Sequence, residues 1–293
     1  MHRRLTLLTF AISAIAIQIS AQQISVGRHP DSVRFAVLGD FGNGQPEQFE
    51  VASQMWSAHQ TFPFDLVLAL GDNMYGRQNP DDFVEKFERP YAQLLGAGVE
   101  FRAALGNHDR PTNREYPRFN MEGRRYYTFV RRYVRFVVLD TNMMDPPQLV
   151  WLDETLASAS EAWKVVYFHH PIYSNGGRHG SNIELRVALE PILVKHNVHV
   201  VFSGHEHIYE RLKPQKGITY FVAGSGGQLR KGDARPSDTS ARAFDRDQAF
   251  MLVEIAVDEL LFQTISRTGD TVDSGTIERR PSTTLSRPLG GVS

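Results

Sequence analysis

The sequence predicts an α/β fold, a mixed sandwich of sheets and helices, on three observations. Short β-rich apolar runs alternate with longer amphipathic segments through the first half of the chain. The last third is mostly β, with hairpin-like turns at Val257-Asp258-Glu259 and Gly269-Asp270. Several apolar runs stop at a glycine followed by aspartate, asparagine or histidine, as strands do when they carry side chains to a ligand at a sheet edge.

In chain order, 34-RFAVLG-39 is the first candidate strand, and 46-PEQFEVASQMWSAHQ-60 reads as a helix opened by Pro46, which suits a first helical turn. The run 65-DLVLAL-70 is the second strand, followed by a helical pattern over 80-PDDFVEKFERPYAQLL-95 and a third strand at 100-EFRAAL-105. Two runs, 126-YYTFV-130 and 133-YVRFVVLD-140, precede a helix over 148-QLVWLDETLASA-159. The strand 164-KVVYFH-169, the helix 182-NIELRVALEPILVKH-196 and the strand 198-VHVVFS-203 repeat the alternation. Strands at 218-ITYFVAG-224, 250-FMLVEIAV-257 and 260-LLFQTISR-267 complete the set. Between the first two lies 225-SGGQLRKGDARPSDTSARAFDRD-247, too polar and glycine-rich for a core and expected to be a long loop, a lid or rim.

Bulk composition narrows the function. With 41% hydrophobic and 22% charged residues the chain is ordinary globular protein, and its length fits one large domain or two small ones. A formal net charge of −1 gives no broad field for nucleic acid or anionic membrane. No cysteine occurs, which excludes disulfides, cysteine nucleophiles and thiolate metal sites, so any metal needs N and O ligands. The N-terminus 1-MHRRLTLLTFAISAIAIQISAQQ has the layout of a secretory signal, with two arginines, an apolar run and small residues near Ala21. Residues 1–21 are therefore expected to be removed, 22–280 to form the working domain, and 281–293 to be a loose tail. The mature protein is expected to be secreted or periplasmic, without stable membrane association; the sequence does not fix its oligomeric state, with a monomer favoured.

The chemistry concentrates at five strand ends: 39-GDFGNG-44, 71-GDNMYG-76, 106-GNHDR-110, 169-HHPIY-173 and 204-GHEHIY-209. Glycine before Asp40, Asp72, Asn107 and His205 lets the backbone turn sharply and leave the side chains projecting. Two carboxylates, an amide and three or four imidazoles, with Tyr75 nearby, exceed what one tetrahedral ion needs. They suit two octahedral ions sharing a carboxylate, a binuclear metal site at the C-terminal ends of the strands. The rival reading of 42-GNGQPE-47 as a dinucleotide loop fails for want of its third glycine. His59, His196 and His199 fall in helix or strand patterns and carry no chemistry, while Glu206 and Glu210, flanking ligands, read as supporting or surface residues.

The set GDFG, GDNMY, GNHD, VYFH and GHEH, in this order from about Arg34 to Gly227, resembles the calcineurin-like metallophosphoesterases, and its GDxxY form is similar to the small, single-domain purple acid phosphatases of the tartrate-resistant type. The resemblance implies a four-layer α/β/β/α sandwich with two mixed sheets. It implies that Asp40, Asp72, Tyr75 and His207 hold a ferric ion, and that Asp72, Asn107, His169 and His205 hold a divalent iron, zinc or manganese, with Asp72 shared. A phenolate and two carboxylates are a hard donor set for a trivalent ion, and imidazoles with an amide suit a divalent one. The family's VxxH spacing, here Val166 to His169, favours His169 over His170 as ligand and leaves His170 to face substrate or to hydrogen-bond a ligand.

The function expected is hydrolysis of small phosphomonoesters by a metal-bound hydroxide, with His108 or His179 protonating the leaving oxygen and Asn107, His108, His170, Arg178 and His179 contacting substrate. The alternatives are a phosphodiesterase or nucleotide pyrophosphatase with the same metals, decided by walls such as 110-RPTNREYPRFNMEGRR-125, and an exported, non-catalytic metal or phosphate binder. N-terminal sequencing of the exported protein should begin near Gln22; an intact Met1 in a membrane fraction would make the segment an anchor instead.

Overall fold

The computed structural model of the chain describes residues 24–27 and 29–280; the expected signal segment 1–21 and the tail 281–293 lie outside the described residues. All ten expected strands form. They are β1 (Val33–Leu38), β2 (Leu66–Ala69), β3 (Glu100–Ala103), β4 (Tyr127–Arg131), β5 (Val134–Val138), β6 (Trp163–Tyr167), β7 (Val200–Ser203), β9 (Thr219–Ala223), β11 (Ala249–Ile255) and β12 (Glu259–Ser266). Three further strands were not expected: β8 (Tyr209–Leu212), β10 (Ser240–Phe244) and β13 (Thr271–Glu278). β8 carries two charged residues in four, and β13 only two apolar residues in eight. β10 and β13 are sheet edges with largely exposed faces, which a run of hydrophobic residues does not mark.

One sheet has the order β13-β12-β11-β1-β2-β3 and the other β10-β8-β9-β7-β6-β5-β4. In the first, β1, β2 and β3 run parallel; in the second, β5, β6, β7 and β9 do, and the remaining pairings are antiparallel. The central strands are covered on both faces, so β1, β2, β7 and β9 read as continuous apolar runs.

The sheets meet through aromatic rings. Phe35 on β1 lies edge-on to Phe136 and Phe202 of the other sheet at 5.4 and 6.2 Å, and Phe221 meets Phe262 at 5.0 Å. Outside them, α1 (Pro46–Thr61) buries Val51, Ala52, Met55 and Ala58. The opposite layer is α4 (Pro146–Ala157) and α5 (Ile183–Lys195), whose Leu152, Leu156, Leu185, Leu189 and Leu193 cover Val137, Val166 and Val201. The architecture is thus the expected four-layer α/β/β/α sandwich with two mixed sheets. At the β8–β13 corner, Tyr209 and Arg211 both donate to the Asp273 carboxylate at 2.8 Å, a polar clasp between the sheets.

The helix expected over 80–95 is broken into α2 (Pro80–Phe83), one wide turn over Val84–Glu88 and α3 (Ala92–Gly96). Pro90 has no N–H and its ring crowds the carbonyl four residues back, so the helix cannot continue through it. That carbonyl, on Lys86, accepts instead from the Gln48 amide at 2.6 Å, and Arg89 N–H reaches back five residues to Val84.

Replacing Phe35 by alanine removes a fully buried ring at the centre of the inter-sheet contact and should cost about 3–5 kcal/mol. Phe129→Ala, on the edge-strand pair, should cost clearly less in the same urea-unfolding experiment.

Candidate metal centre

The parallel strands of both sheets end on one side of the sandwich, and the loops after them carry Asp40, Asp72, Asn107, His169, His205 and His207. The two sheets touch here through backbone: Gly226 N–H donates to Gly39 C=O at 3.0 Å and Gln228 N–H to Asp40 C=O at 2.9 Å. The turn geometry departs from the expectation that glycine supplies it. Left-handed backbone is taken by the ligand residues, with φ of 56° at Asp40, 50° at Asp72 and 70° at His205, and by Gly71 at 93°. Asp and His tolerate that region better than most residues, at a cost of roughly 1–2 kcal/mol each. The glycines mainly supply room. A Cβ on Gly71 would lie 2.6 Å from His169 Nδ1, and those on Gly106 and Gly204 would run into the carboxylates of Asp72 and Asp40.

These turns bring the predicted ligands into two adjoining groups. In one, the donor atoms of Asp40, Asp72 and His207 lie within 4.8 Å of one another. Tyr75 joins it, with its hydroxyl 3.2 Å from Asp40 Oδ1 and 3.4 Å from His207 Nε2. In the other, His169 Nε2 lies 3.2 Å from His205 Nδ1, 3.1 Å from Asn107 Oδ1 and 3.4 Å from Asp72 Oδ1, so Asp72 belongs to both. The opposite nitrogen of His169 bonds the Leu70 carbonyl at 3.0 Å, which fixes the ring so that Nε2 presents its lone pair to the site.

The HxH segment therefore splits. The two histidines do not alternate as strand residues, because β7 has already ended at Ser203 and the left-handed turn at His205 intervenes. His205 goes to the group of His169, and His207 to that of Asp40.

Electrostatics fit a cation site. Burial, and next the neighbouring Asp72, hold the Asp40 carboxyl well above the usual carboxylate range, and burial raises Asp72 as well. Backbone N–H groups of His205 and His108 each donate to one of these carboxylates at 2.8 Å. Burial drives the imidazoles the other way: His205 to about 2, His207 to about 4, and His169 well below its ordinary value. The Tyr75 hydroxyl is pushed up by burial and by both aspartates. Among the described residues no lysine or arginine pairs with Asp40 or Asp72. Two uncompensated buried carboxylates among neutral imidazoles form a donor set that lacks positive charge, which metal ions would supply.

The other predicted residues surround this set. His108 lies over the Tyr75 ring at 4.7 Å with Nε2 4.0 Å from Asp72 Oδ2, and its side chain is half exposed. His179 stacks on His205 at 4.2 Å. His170 faces His205 at 4.4 Å and is oriented by Thr141, whose hydroxyl lies 2.9 Å from its Nδ1. Arg178 is exposed beside His179, and its charge, with that of Arg230 and after burial, lowers the His179 pKa. The histidines set aside behave structurally: His59 stacks on Trp56, His196 pairs with Asp153, and His199 packs on Trp163.

Three residues escaped sequence reasoning. Asp109 is buried and accepts five N–H groups, from Asn73 (backbone and side chain), Met74, Gly106 and Asn113, so it ties the loop after β2 to the loop after β3. Its place in GNHD, an acid beside a ligand, was the available signal. Arg230, in the loop before β10, donates its N–H to His207 C=O at 3.0 Å and lowers the His207 pKa, and Gln78 links His108 C=O to Arg110 N–H; neither has a local sequence signal.

Comparison with known proteins agrees with this geometry. The family model described as calcineurin-like phosphoesterase matches residues 33–209, well over half of the chain. Tartrate-resistant acid phosphatase type 5 of Mus musculus is 25% identical over 300 residues, covering 85% of this chain and 91% of its own. Purple acid phosphatase 3 of Arabidopsis thaliana is 28% identical over 273 residues, covering 78% and 73%. Among solved structures, GAP50 of Plasmodium, described as the anchor in the inner membrane complex, has a TM-score of 0.74 at 18% identity, with 86% and 90% covered. Purple acid phosphatase PPD1 from Lupinus luteus seeds has a TM-score of 0.70 at 20% identity, covering 87% of this chain and 57% of its own. At these identities the two structures speak for the fold. The chain belongs to the calcineurin-like phosphoesterase family, and within it resembles the purple and tartrate-resistant acid phosphatases.

Proposed function

We propose that the protein is an exported phosphatase that hydrolyses small phosphomonoesters. The observation that carries this reading is the pair of donor groups joined at Asp72 and flanked by two imidazoles, His108 and His179. Asp40, Asp72, Tyr75 and His207 would hold one ion, a ferric one, and Asp72, Asn107, His169 and His205 the other, a divalent iron, zinc or manganese. Bound there, such a pair lowers the pKa of water and offsets charge on a phosphoryl group.

The chain's own residues supply the rest. On this reading Asn107, His170 and Arg178 would contact the phosphate, and Arg178, exposed and without a carboxylate partner among the described residues, can bond its oxygens. His108 and His179 are the candidates for giving a proton to the leaving oxygen. His179, held below the ordinary imidazole range by burial and two arginines, is protonated only toward acid pH, which favours acid turnover. Export rests on the N-terminal segment; among the described residues no helix is long and apolar enough to cross a membrane.

p-Nitrophenyl phosphate should be cleaved with kcat/KM at least about tenfold above bis-p-nitrophenyl phosphate. The reverse order would transfer the site to the diesterase alternative. His207→Ala should abolish turnover and lower the metal content measured on the same sample. The loaded protein should show a broad visible band from tyrosinate on iron, lost in Tyr75→Phe; an active, colourless protein would remove Tyr75 from the ligand set.

A further inference from the structure

Glu206 lies between the two histidines of the HxH turn, so the residues facing the metals also fix its place. Its side chain is fully buried. Oε1 accepts the backbone N–H of His179 at 2.6 Å and of Gly180 at 2.5 Å, and lies 3.8 Å from His179 Nδ1. The other end of the carboxylate presses on Gly176: a Cβ there would lie 2.5 Å from Oε2. From the opposite side the loop before β10 grips the same segment, with Gly177 N–H donating to Asp233 C=O at 2.7 Å and Arg235 N–H to Asn175 C=O at 3.0 Å. The stretch 176-GGRHG-180 has three glycines in five residues and, left alone, would sample many backbone states. Between Glu206 and the 233–235 segment it is held in one.

We propose that Glu206 is the positioning residue for His179. It holds the loop by two hydrogen bonds to backbone N–H groups and so keeps the His179 imidazole stacked over His205, where it can serve the leaving oxygen. The inference rests on the phosphatase reading for its consequence. Proton donation works only within about 2.6–3.2 Å of the acceptor, so a loosened loop slows the release of an alkoxide far more than of p-nitrophenolate, which leaves as a stable anion. A residue that merely props up the metal turn would slow both esters alike.

The test uses Glu206→Ala and Gly176→Ala, the second displacing the same contact from the loop side while every residue of the metal turn keeps its identity. In both, the expected result is wild-type metal content and faster hydrogen exchange at the amides of His179 and Gly180, by about tenfold or more, in metal-free and loaded protein alike. With glycerol 2-phosphate, kcat should fall about 10- to 100-fold, and with p-nitrophenyl phosphate less than about threefold. The double variant should be little worse than the worse single one, since both break one contact. Equal loss on the two esters, or unchanged exchange at the two amides, overturns the proposal. If Glu206→Ala loses metal, Gly176→Ala alone decides. If the wild-type protein cleaves neither ester, the phosphatase reading falls by itself, and the exchange rates still judge the contact.

Discussion

Two carboxylates, Asp40 and Asp72, are buried side by side with no lysine or arginine among the described residues to pair them, and the architecture of the site follows from that. Isolated buried charge is among the most expensive arrangements a protein can hold. The chain offsets it with what the strand ends offer: one backbone N–H to each carboxylate and imidazoles kept neutral by burial. None of these supplies a full positive charge. The same groups that fail to neutralise the aspartates are the lone-pair donors that would complete a metal's coordination, so one arrangement meets both requirements.

Holding those donors requires close approach of five loops from two sheets. Asp109 does this from below, collecting N–H groups from the loops after β2 and β3, and the Leu70 carbonyl does it across the sheets by fixing the His169 ring. Gly71, Gly106 and Gly204 leave the space these side chains occupy. The layers outside contribute rigidity: the aromatic contact of Phe35 with Phe136 and Phe202 fixes how the sheets face each other, and so how far apart their strand ends stand.

Much of this could be read from the sequence because the signal is local. An apolar run, a glycine and a ligand-type side chain are consecutive residues, and four such endings, with a fifth run that passes directly into His169, specify both the strands and the donors. What was not legible depends on distant partners. β8 hides because Glu210 and Arg211 look like surface residues, whereas Glu210 is buried and satisfied by Ser174, Asn175 and Ser240, and Arg211 by Asp273. The long polar segment 225–247 contains β10 and supplies Arg230 and Asp233 to the site's rim, none of which alternation reveals. The break at Pro90 was visible as a residue, but the strong helical pattern on either side outweighed it; the Gln48 amide that satisfies the freed carbonyl comes from another helix.

The left-handed backbone at Asp40, Asp72 and His205 bears on descent. Short polar residues are the ones that tolerate this conformation, and asparagine or glycine would occupy it as comfortably as the present ligands. A lineage that gave up its metals could therefore exchange the donors at these three places while every loop kept its path. Overall shape would survive the loss of chemistry almost unchanged, so a living member of the fold and a silent one differ in a handful of side-chain atoms rather than in the course of the chain.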